Sequence, residues 1–271
     1  MPNTNFPSSS LIVSTYNWPV ALRLCLSSIA AQTVLPDEVI VADDGSGEDT
    51  AMLIKKFQKN FPVPLIHVWQ ADEGFQLARI RNKAIASATK EYIIQIDGDL
   101  ILHRKFVEDH LRFSQRGSFV SGSRVIMDAA LSKKIIESGK IIIPLFNKGI
   151  KNIGNGLWLP VFTRFIKKYR QHKSYNLRGC NMAFWKDDLL AVNGYNEAFQ
   201  GWGREDSELV IRLLNLGLKK IPIKFGGIVF HLFHPEKSRL QLEANEALLT
   251  NTIDEKHIVC SQGIKSFLNQ P

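Results

Sequence analysis

The 271-residue chain has few cysteines, no long apolar run and no glycine-rich phosphate loop. Cys25, Cys180 and Cys260 are widely spaced, odd in number and match no metal-ligand pattern. That excludes a disulfide framework and a cysteine-held zinc site. They read as reduced thiols of a cytosolic protein, two of them packed in apolar surroundings. No apolar stretch approaches the length of a membrane span. Met1 to Ser10 is polar and lacks the charged start and apolar core of a secretory signal. The first strand-like run ends in Thr15-Tyr16-Asn17-Trp18-Pro19, without a glycine. A nicotinamide dehydrogenase would need Gly-x-Gly-x-x-Gly there.

What is present is ordinary in bulk, with 45% hydrophobic and 22% charged residues, as in a globular α/β domain. The net charge of +8 is not evenly spread. Lys133 to Arg178 holds eleven Lys or Arg against one acid, Glu137, while the rest holds 23 basic and 25 acidic residues. A general polyanion-binding surface is therefore not implied, and no nucleic acid is expected as a partner. The basic segment also carries Ile141-Ile142-Ile143-Pro144-Leu145-Phe146 and Leu157-Trp158-Leu159-Pro160-Val161-Phe162. Basic and apolar-aromatic residues together suit either an anionic membrane surface or a solvated insertion with its own small core.

Strand and helix patterns alternate along the first half. Ser10 to Thr15 reads as a strand, then a helix capped by Asn17 with Pro19 in its first turn. Glu38 to Ala42 and Leu65 to Trp69 read as strands, separated by a helix from about Thr50 to Phe61. A helix from Phe75 to Ala88 precedes Tyr92-Ile93-Ile94-Gln95-Ile96-Asp97-Gly98-Asp99. Further on come a strand from Phe119 to Met127, one at Asn181 to Trp185, a helix near Asp206 to Leu216 and a last strand from Lys219 to Phe230. Residues around Leu240 to Leu249 read as partly helical. Such alternation predicts a mostly parallel sheet covered by helices on both faces, with ligands beyond the carboxyl ends of its strands. Those ends carry Thr15-Tyr16-Asn17, Asp43-Asp44 and Asp97-Gly98-Asp99. Two aspartates closing a buried strand are hard oxygen ligands, suited to Mg²⁺ or Mn²⁺ bridging to phosphate.

Leu11-Ile12-Val13-Ser14-Thr15-Tyr16-Asn17, Ala42-Asp43-Asp44-Gly45-Ser46 and Asp97-Gly98-Asp99, in that order, resemble a family 2 glycosyltransferase of the GT-A fold. Gly201-Trp202-Gly203-Arg204-Glu205-Asp206 and Phe230-His231 resemble the C-terminal half of galactosyltransferases and bacterial chondroitin-type polymerases. The resemblance runs from about Ser10 to His234. It implies one domain over 1–271, with a nucleotide-binding half at 10–127, the basic and apolar insertion at 128–177, a catalytic and acceptor-side half at 178–236 and a tail at 237–271.

The resemblance further implies a UDP-sugar donor, a glycan or lipid-linked saccharide acceptor, and inversion at the anomeric carbon. Thr15, Tyr16, Asn17, Asp44, Arg81 and Asp97 would serve the nucleotide, with Asp44 taking the uracil N3–H. Asp99, Asp97 and His231 would hold Mn²⁺ or Mg²⁺, with His234 in reserve; imidazole beside carboxylate favours Mn²⁺. Asp206 would be the general base. Glu205 would hold it or bind the acceptor sugar. Trp202, on a mobile loop between two glycines, would stack on a sugar ring. Gly179 and Asn181 would meet the donor sugar. The expected product is a cell-surface polysaccharide or lipopolysaccharide, made in the cytoplasm on the inner face of a membrane. The alternatives are a non-catalytic sugar-nucleotide-binding protein or a nucleotidyltransferase of related fold. The latter would need a glycine-rich, arginine-containing loop at Thr15 to Pro19, and none is there.

Overall fold

The computed structural model describes residues 6–163, 179–235 and 241–268. In chain order the elements of the first half are β1 (Ser9–Thr15), α1 (Pro19–Ala30), β2 (Glu38–Asp43), α2 (Glu48–Gln58), β3 (Leu65–Trp69), α3 (Leu77–Ser87) and β4 (Tyr92–Asp97). Then follow β5 (Leu100–Leu102), α4 (Phe106–Arg112), β6 (Ser118–Ser121), β7 (Ser123–Met127), α5 (Ala129–Ser138), β8 (Ile150–Lys151) and the short α6 (Pro160–Thr163). The chain continues through β9 (Asn181–Trp185), α7 (Lys186–Ala191), α8 (Glu205–Asn215), β10 (Lys219–Pro222), β11 (Ile228–His231), α9 (Leu242–Asp254) and α10 (Lys265–Leu268).

Seven strands form one sheet in the order β10-β6-β9-β4-β1-β2-β3, parallel except for β9. Alternation along the buried strands sends successive side chains to opposite layers. Leu11, Val13, Ile94 and Ile96 pack with α1, α2 and α4, whereas Ile12, Ile40 and Ile93 pack with α3, α7 and α8. The expected doubly covered sheet is present. A second sheet, β5-β11-β7-β8, packs on α1 and α5 through Ala21, Leu24, Leu131 and Ile135.

Two expected strands are each broken. The run from Phe119 to Met127 becomes β6 and β7, and the run from Lys219 to Phe230 becomes β10 and β11. β6 pairs with β10 in the large sheet and β7 with β11 in the small one, so both chains cross at the same level. The joint is Asn181, which is fully buried. Its Nδ2 donates to the carbonyls of Ser123 (2.9 Å) and Gly227 (2.7 Å), and its Oδ1 lies 2.9 Å from His110 Nε2. Gly122 lies against it; a Cβ there would come within 2.4 Å of the Asn181 side chain. Asn181, expected to touch a sugar, instead bonds the two bent strands together, because breaking two strands frees buried carbonyls that need donors.

Two smaller expectations also change. Asn17 does not cap α1, whose N-cap is Trp18 without a side-chain bond; Asn17 Oδ1 accepts from Gly47 N at 3.0 Å instead. All three cysteines are buried rather than two. Part of the 128–177 segment joins the fold through α5 and Ile143, while residues 164–178, with Lys167, Lys168 and Arg170, lie outside the described residues.

Asn181→Ala is expected to lower the unfolding free energy by about 2–4 kcal/mol in urea titration, since it strands buried polar partners.

Candidate active site

The register of the parallel strands sets the site. Ser14 lies beside Asp97 and Thr15 beside Asp43, so β1, β2 and β4 end along one edge. Beyond that edge is a crevice of about 1200 Å³. Thr15, Tyr16, Asn17, Asp44, Arg81, Asp97, Asp99, Gly179, Trp202, Glu205, Asp206 and His231 line it; of the expected site residues, Asn181 does not.

At one end Asp44 sits nearly buried. Its Oδ1 accepts from Gln70 Nε2 at 2.6 Å and its Oδ2 from the Gln76 N–H at 3.0 Å, while burial raises its carboxyl above the ordinary value. Beside it the Tyr16 hydroxyl donates to Asp72 Oδ2 at 2.8 Å.

In the middle, Asp99 Oδ2 lies 3.4 Å from His231 Nε2 and 3.1 Å from His234 Nε2. These three residues can offer ligand atoms to one ion, and among the described residues they form the candidate metal cluster. Asp99 Oδ1 is buried without a hydrogen-bond partner among the described residues, an orphan that a divalent cation would satisfy. Both histidines therefore converge, and the reserve His234 stands closer than His231. Asp97 is outside the cluster, because its Oδ1 accepts from Arg81 Nη2 at 3.1 Å.

Arg81 is the centre of the arrangement. It is 1% exposed and, besides Asp97, reaches Asp206 Oδ1 (2.8 Å), Glu205 Oε1 (3.4 Å) and Ser14 Oγ (3.3 Å). Its guanidinium lies 5.2 Å from the Tyr195 ring. The expected nucleotide contact from Arg81 is therefore redirected: its donors serve protein carboxylates, as a buried cation requires. Its neighbour Asn82 is buried too, donating to the Tyr195 carbonyl and Glu197, whereas Arg79 pairs with Glu73 at the surface.

The carboxylates respond to this setting. Burial pushes Asp97 up to about 6, opposed by Arg81 and reinforced by Asp99 and Asp206. Burial, with the neighbouring Asp206 charge, pushes Glu205 up to about 8. That direction favours the protonated form of Glu205 near neutral pH. Asp206 Oδ1 also lies 3.3 Å from the Tyr195 hydroxyl, which Gln95 Nε2 supports at 2.7 Å. A Cβ on Gly179 would overlap Asp206 Oδ2 at 1.7 Å, so only glycine lets the carboxylate lie there.

Trp202 is 41% exposed at the crevice mouth. The glycine-flanked loop is hydrogen-bonded from two sides: the Gly201 N–H donates to Phe75 O at 3.2 Å, and Asn245 Nδ2 donates to Gln200 O and Gly203 O. Sequence reasoning missed Arg124, Gln95 and Tyr195. Arg124 lines the crevice, and its Nε is buried without a hydrogen-bond partner among the described residues. A charged residue inside the apolar alternation of Ser123–Met127 is the signal that could have found it.

Residues 10–190 match the family described as "Glycosyl transferase family 2", and residues 161–235 match "N-terminal domain of galactosyltransferase". The chain is 28% identical over 269 residues to chondroitin synthase of Pasteurella multocida, covering 91% of this chain and 27% of that protein. It is 27% identical over 253 residues to chondroitin synthase of Escherichia coli, covering 84% and 35%. It therefore spans only about a quarter to a third of these relatives. Among solved structures, a mannosyltransferase of Pyrobaculum calidifontis in complex with GDP-Man and Mn²⁺ superposes with a TM-score of 0.62 at 18% identity, covering 98% of this chain and 69% of that one. TarS of S. aureus superposes at 0.60 and 16% identity, covering 96% and 41%. These likenesses establish a GT-A fold, and the family match over most of its length shows that the chain belongs to glycosyl transferase family 2.

Proposed function

We propose that this chain is an inverting, metal-dependent transferase moving a sugar from a UDP-sugar to a hydroxyl of a glycan or lipid-linked saccharide. The observation that carries the reading is the Arg81 junction, which sets a carboxylate base, Asp206, beside the strand leading to the Asp99 cluster. Asp44 offers a buried acceptor to the base of the nucleotide. Asp99, His231 and His234 are the residues that would hold Mn²⁺ or Mg²⁺; the mixed nitrogen and oxygen set favours Mn²⁺. Bound there, the ion would neutralise the charge growing on the leaving diphosphate. Arg124, a cation in the same crevice, supports that charge from the small sheet.

The acceptor hydroxyl attacks the anomeric carbon as the bond to the diphosphate breaks. Its proton passes to Asp206, and UDP leaves. Attack opposite the leaving group inverts the anomeric centre. Arg81 and Tyr195 occupy Oδ1 of Asp206, leaving Oδ2, beside Gly179, for the incoming hydroxyl. Trp202 would stack on the acceptor ring. In this reading 10–127 serves the nucleotide and 178–236 the acceptor, within one unit over 1–271.

A second proposal concerns placement. No helix among the described residues is long and apolar enough to cross a membrane. Ile142 (83%), Phe146 (84%) and Val161 (70%) are exposed within the basic segment, near Lys140, Lys148 and Lys151 in sequence. Such a surface fits peripheral binding to anionic lipid on the inner face of a membrane. Vesicles containing phosphatidylglycerol should float the protein, and Phe146→Ser with Val161→Ser should cut the floated fraction severalfold. Equal recovery of that variant would remove the membrane role.

The reaction is tested by UDP release from a panel of UDP-sugars with Mn²⁺, Mg²⁺ or EDTA. Asp206→Asn should lower transfer by about 10²–10⁴-fold with UDP affinity retained. Near-normal turnover would refute the base assignment. Glu205→Gln should keep turnover within about tenfold, because the native side chain already carries a proton. A carboxyl with a raised folded value contributes stability that is full below its unfolded value, near 4.5, and lost as pH rises through about 8. Glu205→Gln should therefore be more stable than wild type at pH 9 and lose that advantage at pH 5, read by urea unfolding at both.

A further inference from the structure

The family matches end at residues 190 and 235, yet the crevice wall does not. Leu242, the first residue of α9, lines the same crevice as Trp202, Glu205 and Asp206. Three residues on, Asn245 is 2% exposed and gives its side-chain amide to two carbonyls, Gln200 O at 3.1 Å and Gly203 O at 2.9 Å. Those carbonyls bracket Trp202. Next to it, Glu246 accepts from Arg204 Nε at 2.6 Å.

The loop needs such support. Gly201 (φ 70°), Gly203 (φ 109°) and Arg204 (φ 79°) all lie in the left-handed region, and Arg204 has a Cβ that is strained there. Contacts from outside must hold that geometry. Gln241 packs against Gly201 and Leu242 against Gly203, where a Cβ would meet them at 2.9 and 3.2 Å. On the inner side the Phe75 carbonyl receives the Gly201 N–H. α9 itself is bonded to α8, the helix that begins with Glu205 and Asp206, through Thr252 Oγ1 to Glu208 Oε1 at 3.4 Å.

We propose that α9 completes the acceptor subsite: Leu242 forms its outer wall beside Trp202, and Asn245 and Glu246 are positioning residues that aim the indole. The ligand class is a pyranose presenting an apolar face. The assignment rests on reading the Trp202 side of the crevice as the acceptor side. It makes α9, which neither family match reaches, a determinant of which saccharide is accepted.

The test labels the 271-residue chain with 5-fluorotryptophan, one of its five tryptophan signals being assigned to Trp202 by Trp202→Phe. Asn245→Ala should shift and broaden the Trp202 ¹⁹F resonance without any ligand. With chondroitin hexasaccharide as the acceptor probe, it should raise the acceptor KM about tenfold, leaving the Kd for UDP with Mn²⁺ unchanged. Leu242→Ser, a half-buried position, should raise the same KM while the resonance stays sharp. A Trp202 resonance and acceptor KM unchanged in Asn245→Ala would overturn the positioning role. Unchanged acceptor KM in Leu242→Ser would overturn the wall. If Asn245→Ala loses UDP binding through misfolding, the charge-reversed Glu246→Arg decides the positioning role by the same resonance and KM. If wild type fails to bind UDP, the donor reading falls, while the ligand-free resonance still decides the loop.

Discussion

Everything at this site depends on one buried cation. Arg81 is fully enclosed, and enclosing a guanidinium is costly unless charged partners surround it. Asp97, Glu205 and Asp206 provide them, and they come from two distant stretches of chain. Each acid would repel the others without the arginine. The arrangement therefore couples the end of β4, next to the candidate metal cluster, to the start of α8, which carries the proposed base Asp206. Burial, reinforced by the neighbouring Asp206 charge, pushes the Glu205 carboxyl up to about 8.

A second constraint is the joint between the two sheets. β6 and β10 leave the large sheet together and continue as β7 and β11 in the small one, bonded through Asn181. That switch carries His231 and His234 over to Asp99 and turns Arg124 into the crevice. Continuous strands would have kept His231 in the large sheet. The Asp99, His231 and His234 cluster is thus a product of a bend, and the bend depends on a glycine and a buried amide.

The parts legible in the sequence were those set by local pattern. Alternating apolar runs closed by polar turns identified β1 to β4 and their helices, and the order Asp44, Asp97, Asp99, Asp206 marked the crevice. Periodicity could not show that two strand-like runs break midway, since each half stays extended and only its pairing partner changes. Nor could spacing tell that Arg81 faces inward while Arg79 faces water, or that Asn181 points to strand carbonyls rather than to the crevice. Those outcomes follow from which buried groups still lack a partner once the strands have paired.

The amino-acid order by itself determined the sheet, its doubly covered character and the family, because these rest on period and on motifs written into consecutive residues. Only the tertiary structure decided that burial raises the Glu205 carboxyl, that both histidines meet Asp99, and that α9 braces the Trp202 loop. The reason is physical: these properties depend on distances and burial between residues up to about a hundred positions or more apart, as with Arg81 and Asp206, and such terms exist only after the chain has closed on itself.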